Sequence, residues 1–211
     1  MIESRLMYLY EEQFVLQGYK LIAGLDEAGR GPIAGPVVAA CVILHRDDEI
    51  IGLNDSKQLS ERKRNELEIQ IKQRAICYQV AFVDEATIDR INIYQASKLA
   101  MLQALKKMAI KPDALLTDAM PLKEANIPYL SLIHGDALSA SIAAASILAK
   151  VERDRYMKQM DELYPGYGFS KHKGYYTKEH KIALLTHGAT PIHRKTFAPV
   201  QQILYPENTL F

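Results

Sequence analysis

Residues 22–31 read Ile22-Ala23-Gly24-Leu25-Asp26-Glu27-Ala28-Gly29-Arg30-Gly31, an apolar run that ends in two adjacent carboxylates and a glycine-flanked arginine. In an extended chain neighbouring side chains point to opposite faces, so an acidic pair at a strand end presents one carboxylate inward and the other at the mouth of a cleft. Burying such acids is costly unless a cation compensates, and a divalent metal does so. The glycines beyond the pair allow a substrate to approach the backbone closely. Taken alone, the same residues also fit a strand end followed by an exposed acidic turn.

Outward from this stretch, apolar runs rich in β-branched residues occur at 21–25, 36–44 and 76–83, with shorter pieces at 114–116 and 129–133. These are five expected strands. Between the third and fourth, Ile93, Ala96, Ala100, Met101, Ala104, Leu105 and Met108 recur at helical spacing and predict an amphipathic crossover helix over 93–109. Ser60 opens a polar helix over 61–74, in which only Leu67, Ile69 and Ile71 can face a core. Residues 136–163 read as one long helix whose small side chains at 140–145 permit close packing on a sheet. A loop over 165–174 and a short helix over 177–186 follow. Three strands, then helix, strand, strand and helix, describe an α/β domain with a mixed five-stranded sheet flanked by helices.

The 211 residues, 48% hydrophobic and 24% charged, have the composition of an ordinary globular chain with room for a sizeable core. The first twelve residues carry acids where a signal peptide would be basic and then apolar, and no run approaches membrane-spanning length. A cytoplasmic, membrane-free protein is expected. Cys41 and Cys77 lie in apolar stretches without metal or redox spacing and are expected to be buried thiols. The net charge of +1 conceals a basic segment: residues 165–195 hold six Lys or Arg against the single acid Glu179, with His172, His180, His187 and His193 among tyrosines. Such a segment suits a polyanion whose sugars or bases can be stacked upon, and equally an ordinary solvated surface.

Metal-assisted phosphoryl hydrolysis requires carboxylates from different elements to converge, because two hard cations about 4 Å apart need oxygen ligands and open positions. Asp118 closes the strand-like Ala-Leu-Leu-Thr-Asp and mirrors Asp26 and Glu27, provided that the two strands are neighbours; otherwise it starts a turn. Asp136 opens the long helix, as an N-cap, as a member of the cluster, or as both. Asp154 lies eighteen residues further along that helix, about 27 Å away, and is expected to pair with surface charges such as Arg155 or Lys158. Asp84, Glu85 and Asp89 suit the start of the crossover helix and a structural role. Zinc-protease spacing, a nucleophile elbow and a phosphate loop are all lacking.

Several motifs together resemble the bacterial ribonuclease HII family: Asp26-Glu27-Ala28-Gly29-Arg30-Gly31, Asp55-Ser56-Lys57-Gln58-Leu59, Asp118, Asp136 with the run 143–151, and Tyr167-Gly168-Phe169 with His172-Lys173-Gly174-Tyr175. They occur in family order over residues 20–200. The resemblance implies a ribonuclease H-like domain at about 20–160 with a C-terminal helical, substrate-binding extension at 161–211, forming a single catalytic domain over 1–211. It implies an endonuclease that cleaves 5′ of ribonucleotides, in RNA–DNA hybrids or singly embedded in duplex DNA, leaving a 3′-hydroxyl and a 5′-phosphate. Asp26, Glu27, Asp118 and Asp136 match the family's catalytic, metal-binding acids, which hold Mg²⁺ or Mn²⁺, two ions during catalysis. Gly29, Arg30 and Gly31 match its backbone reader of the ribose 2′-hydroxyl, Tyr175 the tyrosine on the neighbouring deoxyribose, and Lys57 a lysine near the phosphates.

Ribonuclease HIII usually carries an extra N-terminal domain and lacks the Gly-Arg-Gly, which this chain keeps. Thr196 stands where the HII family more often has serine, with the hydroxyl retained. Gln202, Leu204 and Phe211 lack the spacing of a sliding-clamp peptide, so a monomer needing no protein partner is expected. Two other classes share parts of the pattern. A non-catalytic nucleic-acid-binding protein could use the basic segment, although four acids would repel a phosphate backbone without metals. A resolvase or transposase core would share the acids but has no need of Gly29-Arg30-Gly31 with Tyr175.

Overall fold

The computed structural model describes residues 6–205. The five expected strands form one sheet in the order β3-β2-β1-β4-β5, with β1 at Ile22–Ala28, β2 at Val37–Ile43, β3 at Cys77–Val83, β4 at Ala114–Asp118 and β5 at Tyr129–Leu132. β1 pairs antiparallel with β2 and parallel with β4, so the two strands that end in acids are neighbours. Leu25 is in register with Thr117, which puts Asp26 and Asp118 side by side at the next position. Adjacent strands lie about 4.8 Å apart and in-register side chains share a face. Sheet register therefore brings the first two carboxylates together.

Strand alternation divides the core. Ala23, Leu25, Ala39 and Cys41 belong to the layer under the crossover helix, while Ala40 and Val42 lie under the long C-terminal helix with Ala143, Ala144 and Ala145. Gly24 and Asp26 take the second side. A Cβ placed on Gly24 would sit 2.0 Å from the carbonyl carbon of Ser141, so glycine is what lets the helix lie directly on β1. Asp26 is carried beneath that helix by the same alternation.

The helices, in chain order, are α1 (Leu9–Leu16), α2 (Glu61–Arg74), α3 (Glu85–Ile91), α4 (Ile93–Lys107), α5 (Ala140–Leu163), α6 (Phe169–His172), α7 (Lys178–His187) and α8 (Ala198–Leu204). In α2, Leu67 and Ile71 are buried as expected, but Ile69 is exposed and Glu68 takes an inward position. Ile69 lies two residues, about 200°, around the helix from Leu67. Glu68 is held inside by Lys72 at 2.7 Å and Arg155 at 3.0 Å. The crossover is two helices rather than one, with Asp84 capping α3 at Thr87 and Asn92 capping α4 at Gln95. Asp89 accepts the Lys195 and Thr196 amides and the Thr196 hydroxyl, a structural role for this acid.

The long helix begins later than its sequence suggests. Ser139 caps α5 through the Ile142 amide, and Asp136 lies in a separate one-turn 3₁₀ helix, Gly135–Ala137. Its carboxylate is not used as a cap. The loop over 165–174 contains the short α6, and Cys41 is buried while Cys77 is only partly so. Phe211, part of the tail reading, lies outside the described residues. Among the described residues no helix is long and apolar enough to cross a membrane. Gly24→Ala is expected to lower unfolding free energy in a denaturant titration by about 3 kcal/mol, because sheet or helix must shift to admit the methyl.

Candidate active site

Oxygens of Asp26, Asp118 and Asp136 all lie within 4.8 Å of one another. Two come from parallel strand ends and the third from the 3₁₀ turn that follows β5. The two strand-end carboxylates are aimed by backbone amides. The Glu27 amide donates to Asp26 Oδ1 at 2.7 Å, and the Gly135 amide donates to Asp118 Oδ1 at 2.7 Å, tying the turn that carries Asp136 to the end of β4. A Cβ on Gly135 would come 2.7 Å from Ile142 Cδ1, so a side chain there would require Ile142 to give way. Ser146 of α5 gives Asp26 a hydroxyl partner and meets Ser56 Oγ at 2.9 Å. Glu27 stands beside Asp118 but outside this three-acid ring; one of its oxygens is held by Arg30 at 3.1 Å and the other is buried with no hydrogen-bond partner among the described residues.

Burial, then the charges of Glu27 and Asp118, hold the Asp26 carboxyl well above its usual range. Burial also raises Glu27, against the opposing pull of Arg30. Asp136 is pushed up to about 6, first by burial and then by Asp118 and Asp55. Clustered oxygen donors that repel one another, with an orphaned carboxylate oxygen at their edge, fit a hard divalent cation and suit no soft metal.

The acids open into a cleft of about 460 Å³ whose lining includes Gly29, Arg30, Gly31, Lys57 and Tyr175. All the residues singled out from the sequence except Asp136 line it directly, and Lys57 Nζ reaches Asp136 Oδ2 at 4.0 Å. Gly29 has φ +98°, and a Cβ there would meet the Arg153 side chain at 2.1 Å. Gly31 faces Tyr175, whose Cε1 would lie 3.4 Å from an added Cβ. The tripeptide and the tyrosine thus form two walls of one pocket.

Other lining residues escape the sequence reading. Lys150 and Arg64 edge the cleft, and both turn to Asp154, at 2.7 and 3.9 Å. Asp154 is outside the acid cluster, as its helical offset predicts, but it is buried and orients cleft cations rather than pairing with Arg155 or Lys158. Those two bind Glu68 and Glu152, and Glu61, respectively. The basic segment is also different from its sequence impression: His172, His180, His193 and Arg194 are buried and unavailable to a polyanion. Burial pushes His180 and His193 down to about 4, so both are neutral at ordinary pH.

A family model described as Ribonuclease HII matches residues 23–200. The chain belongs to the ribonuclease HII family. It is 58% identical to the ribonuclease HII of Desulfitobacterium hafniense over 194 residues, 92% of this chain and 75% of that protein. The ribonuclease HII of Enterococcus faecalis is 54% identical over 198 residues, 94% of this chain and 77% of the relative. Among solved structures, the ribonuclease H2 of Pyrococcus horikoshii OT3 superposes with a TM-score of 0.76 at 26% identity, covering 90% of this chain and 100% of that one. The RNase HII of Archaeoglobus fulgidus, solved in complex with PCNA, gives 0.71 at 27% identity, covering 84% and 95%. The fold is therefore ribonuclease H-like, and ribonuclease HII is a family of metal-dependent RNA–DNA hybrid endonucleases.

The raised carboxyl of Asp136 has a defined pH consequence. Its folded-state pKa exceeds the unfolded value, so in metal-free protein its contribution to stability grows as pH falls through about 6. Divalent cations compete with that proton. The rise in melting temperature caused by Mg²⁺ or Mn²⁺ is expected to be large at pH 8 and to fade below pH 6, as read by thermal unfolding. Asp118→Asn is expected to raise the melting temperature without metal and to remove most of the metal-induced increment.

Proposed function

We propose that the protein is an endonuclease that hydrolyses the phosphodiester on the 5′ side of ribonucleotides, both in RNA–DNA hybrids and at single ribonucleotides in duplex DNA. The observation that carries this reading is the convergence of Asp26, Asp118 and Asp136, mutually within 4.8 Å, with Asp26 and Asp118 lining the cleft walled by Gly29-Arg30-Gly31 and Tyr175. Asp26, Glu27, Asp118 and Asp136 would hold Mg²⁺ or Mn²⁺, two ions during the reaction. When bound, such ions supply activation of the attacking water and stabilisation of the leaving oxygen. Attack at phosphorus with rupture of the bond to the 3′ oxygen leaves a 3′-hydroxyl and a 5′-phosphate.

The chain's own residues supply position and selectivity. The Glu27 and Gly135 amides preset the Asp26 and Asp118 carboxylates, so little reorganisation is needed. Lys57, Arg64 and Lys150 give the cleft an attractive field for the phosphates that the acids alone would repel. Among the described residues, no protein acceptor takes the Arg30 and Gly31 N–H groups. These donors suit the ribose 2′-hydroxyl, the group that separates RNA from DNA at a single site. Tyr175, 48% exposed, offers its ring to the next sugar, where deoxyribose fits and a second 2′-hydroxyl would be crowded. All of these groups come from one chain, so a monomer acting without a protein partner suffices.

A duplex with one ribonucleotide, incubated with Mg²⁺ or Mn²⁺ beside an all-DNA duplex, tests the reading. Nicking 5′ of the ribonucleotide and nowhere in the all-DNA duplex is expected, with Asp118→Asn slower by more than about a hundredfold. Absence of that nick, or undiminished cleavage by Asp118→Asn, contradicts it. Tyr175→Ala is expected to lose preference for the RNA-to-DNA step over continuous RNA while keeping its melting temperature within about 2 °C of the parent.

A further inference from the structure

The two walls of the pocket belong to distant segments, residues 29–31 and Tyr175, and a third segment lies behind both. Arg194 is fully buried and meets no carboxylate at ion-pair distance among the described residues. Its guanidinium is instead spent on the carbonyls of the first wall. Nη2 donates to Gly29 O at 2.6 Å and to Gly35 O at 2.7 Å, Nη1 to Arg30 O at 2.9 Å and Pro32 O at 2.7 Å, and Nε to Gly35 O at 2.9 Å. Drawing the Gly29 and Arg30 carbonyls inward leaves the N–H groups of this wall for a ligand.

The residue before it reaches the other wall. The Thr190 amide donates to His193 Nδ1 at 2.9 Å, which places the His193 proton on Nε2. That nitrogen lies 3.0 Å from His180 Nε2, which must then accept, leaving the His180 Nδ1 proton to donate to Tyr175 O at 2.9 Å. The order of protons is fixed along the whole chain of bonds. His172 stacks on His180 with centroids 4.4 Å apart and restricts its ring plane.

We infer that His193-Arg194 is the positioning unit of the ribose pocket, Arg194 setting the loop of residues 29–35 and His193, through His180, setting the backbone of Tyr175. The inference rests on the proposed reading of that pocket. Neither side chain contacts the cleft, so both are positioning residues. Their role is in the distance between the walls, and a displacement of about 1 Å in such a site costs on the order of a hundredfold in rate. Lysine cannot replace Arg194 here, because a compact ammonium lacks the planar fork that spans carbonyls on both sides of the loop.

Arg194→Lys and His193→Phe test this, the latter keeping an aromatic ring against Tyr167 and Phe169 while removing the relay. Leu184→Ala, a buried change in the same C-terminal segment, serves as a control for lost stability. The readout is the ratio of kcat/KM for a single ribonucleotide in DNA to that for a continuous RNA tract, together with Mn²⁺ affinity. Both variants are expected to lower the ratio by about tenfold, chiefly through kcat, with Mn²⁺ affinity unchanged, while Leu184→Ala keeps the ratio at a comparable melting temperature. An unchanged ratio in Arg194→Lys, or in His193→Phe should the lysine variant not fold, overturns the inference. An equal fall in Leu184→Ala also overturns it. Wild-type protein that fails to distinguish a ribonucleotide from all-DNA overturns the reading of the pocket itself, a separate outcome.

Discussion

Mutual repulsion among three clustered carboxylates, two of them buried, is the constraint around which the rest of the structure is arranged. At 4.8 Å and an effective dielectric near 20, each pair of ionised acids repels by about 3–4 kcal/mol. Ionising all three would oppose a large share of a domain's usual stability of about 5–15 kcal/mol. Burial first, and then that repulsion, raises the carboxyls of Asp26 and Asp136. Such a cluster persists because it is over-determined: parallel register aligns Asp26 with Asp118, the Gly135 amide locks the turn bearing Asp136, and α5 lies against Gly24. The metal dependence of the ribonuclease HII family then has a physical origin, since a cation relieves the stress that the fold maintains.

A second economy of charge operates on the opposite sign. Arg153 and Arg194 are almost wholly buried and are satisfied by backbone carbonyls, with Glu85 as an attractive charge at longer range. Arg153 donates to Pro36, Ala34 and Lys173 carbonyls. Together the two guanidiniums fasten the β1–β2 connection to α5 and to the C-terminal segment. Arg153 also lines the cleft, and Arg194 holds the carbonyls of its wall, so their cationic fields reach the proposed phosphate site. Structural and electrostatic roles thereby fall to the same side chains.

The strands and the acid pair were legible because strong local signals coincide there: β-branched runs, carboxylates at the ends of β1 and β4, and a register that follows from their parallel pairing. Asp136 was legible as a candidate but not as to geometry, since an acid before a helical pattern reads as its cap, and only the intervening Gly135 turn and Ser139 cap separate the two. Ile69 and Glu68 exchanged expected sides because ion pairing with Lys72 and Arg155 stabilises the buried acid. The basic segment misleads for a related reason. Sequence counts charges, whereas Arg194 is consumed inside by carbonyls far away in the chain, and three histidines by nearby backbone and by one another. Asp154 shows the same limit, its helical offset correctly removing it from the cluster while its partners are Lys150, one turn away on α5 at 2.7 Å, and Arg64 of the distant α2 at 3.9 Å.

The central claim is that divalent cations bind where these three carboxylates converge. Broadening of backbone amide resonances by substoichiometric Mn²⁺ tests it directly, because paramagnetic relaxation falls steeply with distance from the ion. The account predicts that the amides of Asp26, Glu27, Asp118, Gly135 and Asp136 broaden first and that Asp26→Asn abolishes the effect. Broadening centred on any other acidic region, or unchanged in Asp26→Asn, would contradict it.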